Sequence, residues 1–142
     1  MVKGETMGEE MGKLRQLVRV GVAQAPAFLG GLTVDEALER RRSPEFDEQW
    51  MRAYQRVEAT GADMTAFADV EASVFESLYC IFEGSDFAGC VAEDVGLLHS
   101  ALAAGIEDAW LSALLSAYAR GRFPTGKLVE TKDRFAEVLA RV

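Results

Sequence analysis

Residues 67–105, FADVEASVFESLYCIFEGSDFAGCVAEDVGLLHSALAAG, carry the clearest helical pattern in the chain. Two apolar stripes advance in steps of three and four residues, and they comprise Phe67, Val70, Val74, Leu78 and Ile81, then Phe87, Val91, Val95, Leu98 and Leu102. Such spacing places side chains on one face of an α-helix. Gly84 fits the left-handed position that ends the first helix, Ser85 fits the N-cap of the second, and Gly105 fits its end. The stretch therefore predicts a tight helical hairpin.

Start and stop signals extend the helical pattern towards the N-terminus. Apolar residues predict a helix over 7–22, which Pro26 ends or kinks. Residues 33–36, TVDE, match a capping box, and the helix that follows ends at the cations 40–42, RRR, which suit the negative end of the helix dipole. Residues 43–45, SPE, begin another helix that stops near Thr60 and Gly61. Asp63 or Thr65 is the expected N-cap of the hairpin's first helix.

The same periodicity continues towards the C-terminus. A helix is expected from Trp110 to Tyr118, broken by Gly121 and Pro124, and a last helix over 128–142. No stretch shows the alternation typical of a strand. We therefore expect an all-α fold, a single compact helical bundle of about six short-to-medium amphipathic helices with no sheet. The expected domain covers residues 1–142, with 1–8 frayed.

The charge is concentrated in the middle of the chain. Its 142 residues carry a net charge of −8, yet residues 43–109 hold two arginines and fourteen carboxylates. No lysine or arginine lies between Arg56 and Arg120. Such a segment repels phosphate and attracts basic surfaces, so we expect a basic protein partner and no direct nucleic-acid binding. The expected partner-binding residues are Asp69, Glu76, Glu83, Asp86, Glu93, Glu107 and Asp108. The simpler alternative is a solvated acidic face that keeps the protein soluble.

Three polar residues fall on the inner side of the hairpin. Glu71 and Asp94 point partly inward, and His99, the only histidine, lies at the border of the buried face. Glu71 and His99 are equally far from Ser85, so we expect them to form an ion pair that raises the pKa of the histidine. The three residues would make either a polar core contact or the wall of a pocket.

The remaining motifs argue against a nucleotide-binding loop, a metal site and a membrane-spanning segment. Residues 121–128, GRFPTGKL, resemble a phosphate-binding loop, but Leu128 replaces the hydroxyl that binds magnesium and a helix replaces the preceding strand. Cys80 and Cys90 are expected to be reduced and buried, and with a single histidine the chain cannot form a four-ligand zinc site or a di-iron site of the Glu-x-x-His type. Residues 1–10 show no secretory signal, and the apolar stretch 18–34 is too interrupted to span a membrane, which suggests a cytoplasmic protein. The high Ala, Gly and Arg content is compatible with a bacterial source.

Three functions remain open from the sequence. The leading hypothesis is a non-enzymatic acidic binding protein. By analogy of charge and size with bacterial immunity proteins, it would neutralise a toxin or a nucleic-acid-handling protein. No cofactor is expected under this hypothesis. The alternatives are a domain that binds a small molecule or a haem-like cofactor near His99, and a structural homodimer that covers the broad apolar face of residues 67–82.

Overall fold

The computed structural model describes residues 8–17, 25–82 and 84–141. Residues 8–17 form α1. Seven helices follow, namely α2 (Ala25–Phe28), α3 (Val34–Arg41), α4 (Pro44–Glu58), α5 (Ala68–Phe82), α6 (Ser85–Ala104), α7 (Ala109–Ala119) and α8 (Phe135–Ala140). The described ranges contain no strand, so the prediction of an all-α helical bundle is confirmed. The expectations for frayed residues 1–8, for the 18–22 part of the first helix and for Glu83 fall wholly or largely outside these ranges.

The central helix of the fold is α6. Apolar residues along it, from Phe87 to Ala101, are buried on nearly every side, and α3, α4 and α5 all pack against it. By length and composition alone, α6 could cross a membrane, although 67% of its apolar window is buried inside the fold. Helices of this kind form the core of globular proteins, where an all-round apolar surface is covered by neighbouring helices.

The capping residues confirm several predicted helix ends. The Thr33 hydroxyl accepts a hydrogen bond from the Glu36 amide at 3.1 Å, and Ser43 caps α4 ahead of Pro44. Gly105 has a φ of 70°, the left-handed conformation that allows its amide to bond the last carbonyls of α6. Each cap satisfies backbone groups that a helix leaves unpaired at its ends.

Other predicted ends of helices are wrong. Gly84 is extended, with a φ of −138°, and serves as the N-cap of α6, so Ser85 is the first helical residue. Asp63 accepts hydrogen bonds from the amide and hydroxyl of Thr65 in a local turn, and α5 begins only at Ala68. Residues 120–134 are not helical, and the last helix covers Phe135–Ala140 rather than 128–142. Short polar side chains can bond the backbone of a turn as readily as a helix end, which explains the late start of α5.

The hairpin partner of α6 lies at the edge of the fold. Leu78 is the only fully buried residue among the fifteen of α5, although this helix is apolar overall. Its main neighbour is α6, and Tyr79 and Ile81 are each 50% exposed. The outer face of α5, with exposed carboxylates and apolar side chains, is therefore open to solvent.

Candidate partner-binding site

A buried ion pair lies behind the site. The guanidinium of Arg41, near the end of α3, pairs with the carboxylate of Asp94, which is fully buried at the middle of α6. The hydroxyl of Tyr118 donates to the second Asp94 oxygen at 2.6 Å. Burial and the neighbouring carboxylate raise the pKa of Tyr118 well above its usual value, so the phenol stays protonated and acts as a donor. The prediction that Asp94 points inward is confirmed.

Arg41 is also held by aromatic and backbone groups. Its guanidinium lies 3.9 Å from the centre of the Phe46 ring, and it donates to the Pro124 carbonyl oxygen at 3.1 Å. Desolvation opposes its charge, but Asp94 and Tyr118 outweigh that cost, so the pKa of Arg41 is raised and the cation is retained. A buried charge needs this set of partners to be tolerated. The loop 121–128, which resembles a phosphate-binding motif, therefore contacts the buried Arg41 through Pro124.

The ion pair also fixes an aromatic side chain at the surface. The indole Nε1–H of Trp50, on α4, donates to Asp94 at 3.0 Å, while the ring itself is only half-buried. Tyr54, one turn later, stacks on Trp50 with ring centres 5.6 Å apart and planes 15° apart. Because the indole is tied to a buried group, the pair of rings presents a fixed surface.

This aromatic pair forms one wall of an open cleft. The cleft has a volume of about 310 Å³, and its lining residues are Trp50, Tyr54, Met64, Glu71, Glu93, Gly96, Leu97 and Ser100. Glu71 from α5 lies directly over Gly96 of α6, where the absence of a Cβ leaves room for the carboxylate. Desolvation and the charge of Glu93 raise the pKa of Glu71. Desolvation, then Asp94, raises the pKa of Glu93. Both carboxylates therefore lie where a cation would stabilise them.

The predicted ion pair between Glu71 and His99 is absent from the described part of the chain. The Nδ1–H of His99 instead donates to the Val95 carbonyl oxygen at 2.8 Å, and the ring packs on Phe67. Desolvation lowers the pKa of the histidine, so the expected rise is wrong in direction. The register explains the difference, because Glu71 lies at the level of Gly96, three residues earlier on α6. His99 does not line the cleft.

The structure describes six of the seven predicted partner-binding residues, and they do not share one environment. Four of them are exposed carboxylates on α5 and α6. We call this group the acidic surface, and it consists of Asp69, Glu76, Asp86 and Glu93. Asp86 is within 3.5 Å of Arg42, and both side chains are largely exposed. Glu83 lies outside the described residues. Glu107 is exposed but accepts a hydrogen bond from the Phe135 amide at 3.3 Å, so it also holds the start of α8.

Asp108 is buried and has a structural role. Its carboxylate accepts hydrogen bonds from the amides of Trp110 and Leu111, which makes it the N-cap of α7. The other oxygen pairs with Arg56 at 2.5 Å. Asp108 therefore differs from the exposed carboxylates with which the sequence grouped it.

Sequence reasoning missed Arg41, Trp50 and Tyr54 as parts of the site. Arg41 was expected only to complement the dipole of its helix, and no site residue was expected on the helix that follows it. One signal was available for Arg41. The segment between Arg56 and Arg120 contains no cation, so an inward-facing Asp94 needed a cation from elsewhere in the chain. The stacking of Trp50 on Tyr54 has no comparable signal, because the four-residue spacing suits a core stripe equally well.

Comparison with known proteins gives the class of the molecule. The family model described as Immunity protein PIM1 matches residues 13–125. This match covers most of the 142 residues, so the chain belongs to that immunity protein family. Membership in this family implies that the protein binds a partner protein, a toxin. It also supports an inhibitory role. No curated protein and no solved structure matches the chain.

Proposed function

We propose that the protein is a non-enzymatic antagonist that binds a basic toxin through the acidic surface and so blocks its action. The observation that carries the proposal is the exposure of Asp69, Glu76, Asp86 and Glu93 in a segment, 57–119, that has no lysine or arginine. Membership in an immunity protein family supplies the kind of partner, and the charge supplies its chemistry.

The charge acts mainly on the encounter between the two proteins. Complementary potentials steer a diffusing partner, which raises association rates at low salt far more than it strengthens the final contacts. The outer face of α5 adds apolar area beside the carboxylates, since Tyr79 and Ile81 are half exposed. Aromatic anchors surrounded by polar groups are typical of tight protein interfaces. The same negative field opposes binding to nucleic acid.

The test begins with the partner itself. The tagged protein is incubated in a lysate of its source cells, and the complex is identified by native mass spectrometry. Association of the purified partner is then measured at several salt concentrations for the wild type and for a variant with Asp69→Lys, Glu76→Lys and Asp86→Lys, none of which lines the cleft. The control variant, with Glu39→Lys, Glu45→Lys and Glu48→Lys, makes the same change in net charge at exposed positions of α3 and α4.

We expect the acidic-surface variant to associate at least about tenfold more slowly at low salt, with the difference shrinking as salt screens the charges. The association rate of the control variant should fall clearly less, because its substituted charges lie on other helices. A partner that is not basic, or equal association rates for the wild type and the acidic-surface variant, would disprove the proposal.

A further inference from the structure

We infer that the cleft lined by Trp50, Tyr54, Glu71 and Glu93 receives one arginine side chain of the toxin. This inference rests on the proposed function and names a specific contact within it. The cleft lies between α4 and the α5–α6 hairpin, away from the outer face of α5.

The first argument is the aromatic wall. The rings of Trp50 and Tyr54 are nearly parallel and are both half-buried, so part of each ring stays accessible. A guanidinium is planar and weakly hydrated, and it stacks on aromatic faces more readily than an ammonium does. The bond from Trp50 to buried Asp94 holds the wall in place before any ligand arrives. Such preorganisation lowers the entropic cost of binding.

The second argument is the pair of carboxylates. Glu71 and Glu93 line the same cleft, and in the described part of the chain neither forms an ion pair or a side-chain hydrogen bond. The nearest buried cation, Arg41, is already paired with Asp94. Two partly desolvated carboxylates without a cation are costly in the free protein, and an entering guanidinium would remove that cost. Arginine can bond to both groups through its several N–H donors.

Other occupants fit the cleft less well. The described residues contain no group of three or more His, Cys, Asp or Glu side chains that could hold a metal ion. An anion would meet two carboxylates and no free cation. Lysine could also bond the two carboxylates, but its ammonium is strongly hydrated and has no planar face to place on the rings. The cleft is open, so a side chain projecting from a protein surface can enter it.

The first test uses argininamide as the probe. In NMR titrations the indole N–H of Trp50 reports on the cleft, and that of Trp110, which is 4% exposed, serves as an internal reference. We expect saturable shifts at Trp50 that weaken at least fivefold in the Glu71→Gln, Glu93→Gln double variant. The matched Asp69→Asn, Glu76→Gln variant has the same net charge but leaves the cleft intact, and it should stay within twofold of the wild type. Equal binding of lysinamide, or no difference between the variants, would overturn the inference.

The second test uses the captured toxin. The cleft variant should bind it at least tenfold more weakly than the matched control does, mainly through faster dissociation. If the toxin binds both variants equally, the cleft is not its contact, although the proposed function stands. If argininamide binds but arginine replacements on the toxin have no effect, the occupant is not an arginine of the toxin. If the wild type captures no basic protein in the first place, the proposed function itself is wrong.

Discussion

The indole nitrogen of Trp50 and a carboxylate oxygen of Asp94 are joined by a 3.0 Å hydrogen bond. One residue lies at the surface of the cleft, and the other is completely buried. The bond therefore connects the candidate binding site to the Arg41–Asp94 pair that ties α3 to α6. The shape of the cleft depends on the integrity of the core, which links binding to stability in the predictions that follow.

Replacing Asp94 with asparagine should strongly destabilise the protein. The substitution leaves the guanidinium of Arg41 buried without its counter-charge, and breaking such a pair costs about 3–5 kcal/mol. Chemical denaturation would measure the loss in the free energy of unfolding. The control is Asp86→Asn, which removes an exposed pair with Arg42 and should cost less than about 1 kcal/mol. Similar losses for the two variants would show that the buried pair contributes no more than a surface pair.

Gly96→Ala should weaken binding without weakening the fold. A Cβ at this position would overlap the Glu71 carboxylate, which lies at the end of a flexible side chain and can move away. Alanine favours a helix over glycine by about 1 kcal/mol, so the free energy of unfolding should be unchanged or higher. Argininamide titration should show weaker binding. Gly89→Ala is the control in the same helix. It gains the same helix propensity, its Cβ meets open space, and it should bind argininamide like the wild type.

His99 should make stability depend on pH. Because burial lowers its pKa in the fold, the unfolded chain takes up a proton first as the pH falls from 7 to 5, and stability declines. The slope from this residue cannot exceed about 1.4 kcal/mol per pH unit. The charged group Arg15 opposes protonation as well. Unfolding curves at pH 7 and 5 should differ less for His99→Gln than for the wild type, and an equal pH dependence would contradict the prediction.

Asp108→Ala should lower stability and leave the affinity for the toxin unchanged. The substitution removes the N-cap of α7 and the partner of Arg56, and loss of such a cap costs about 1 kcal/mol. Asp108→Asn keeps a capping oxygen and should recover part of the loss in thermal unfolding. A large effect on toxin binding with an unchanged melting temperature would place Asp108 in the interface, as the sequence first suggested.

Local signals in the sequence account for much of the fold. The capping residues Thr33, Ser43 and Gly105 act through their own neighbours, so their roles can be predicted without tertiary information. The hairpin of α5 and α6 was predicted from its two stripes. Its register was not, because a shift of three residues keeps both stripes facing each other while it moves Glu71 from His99 to Gly96.

The parts of the site that were missed depend on contacts between distant residues. Arg41 and Asp94 are 53 positions apart, and Trp50 reaches the same carboxylate from a third helix. No local spacing encodes such a meeting point. The sequence did show an inward-facing Asp94 and a long stretch without cations, which together indicate that a distant cation must be recruited. Choosing Arg41 rather than Arg40 or Arg42 required the packing of α3 on α6.

The open position of α5 has a consequence for which residues of the protein tolerate substitution. A helix with a single fully buried residue can exchange most of its outward side chains at little cost in stability, because surface substitutions usually change it by less than about 0.5 kcal/mol. The residues around Glu76 and Tyr79 are therefore open to redesign, whereas Arg41 and Asp94 must be kept to preserve the fold.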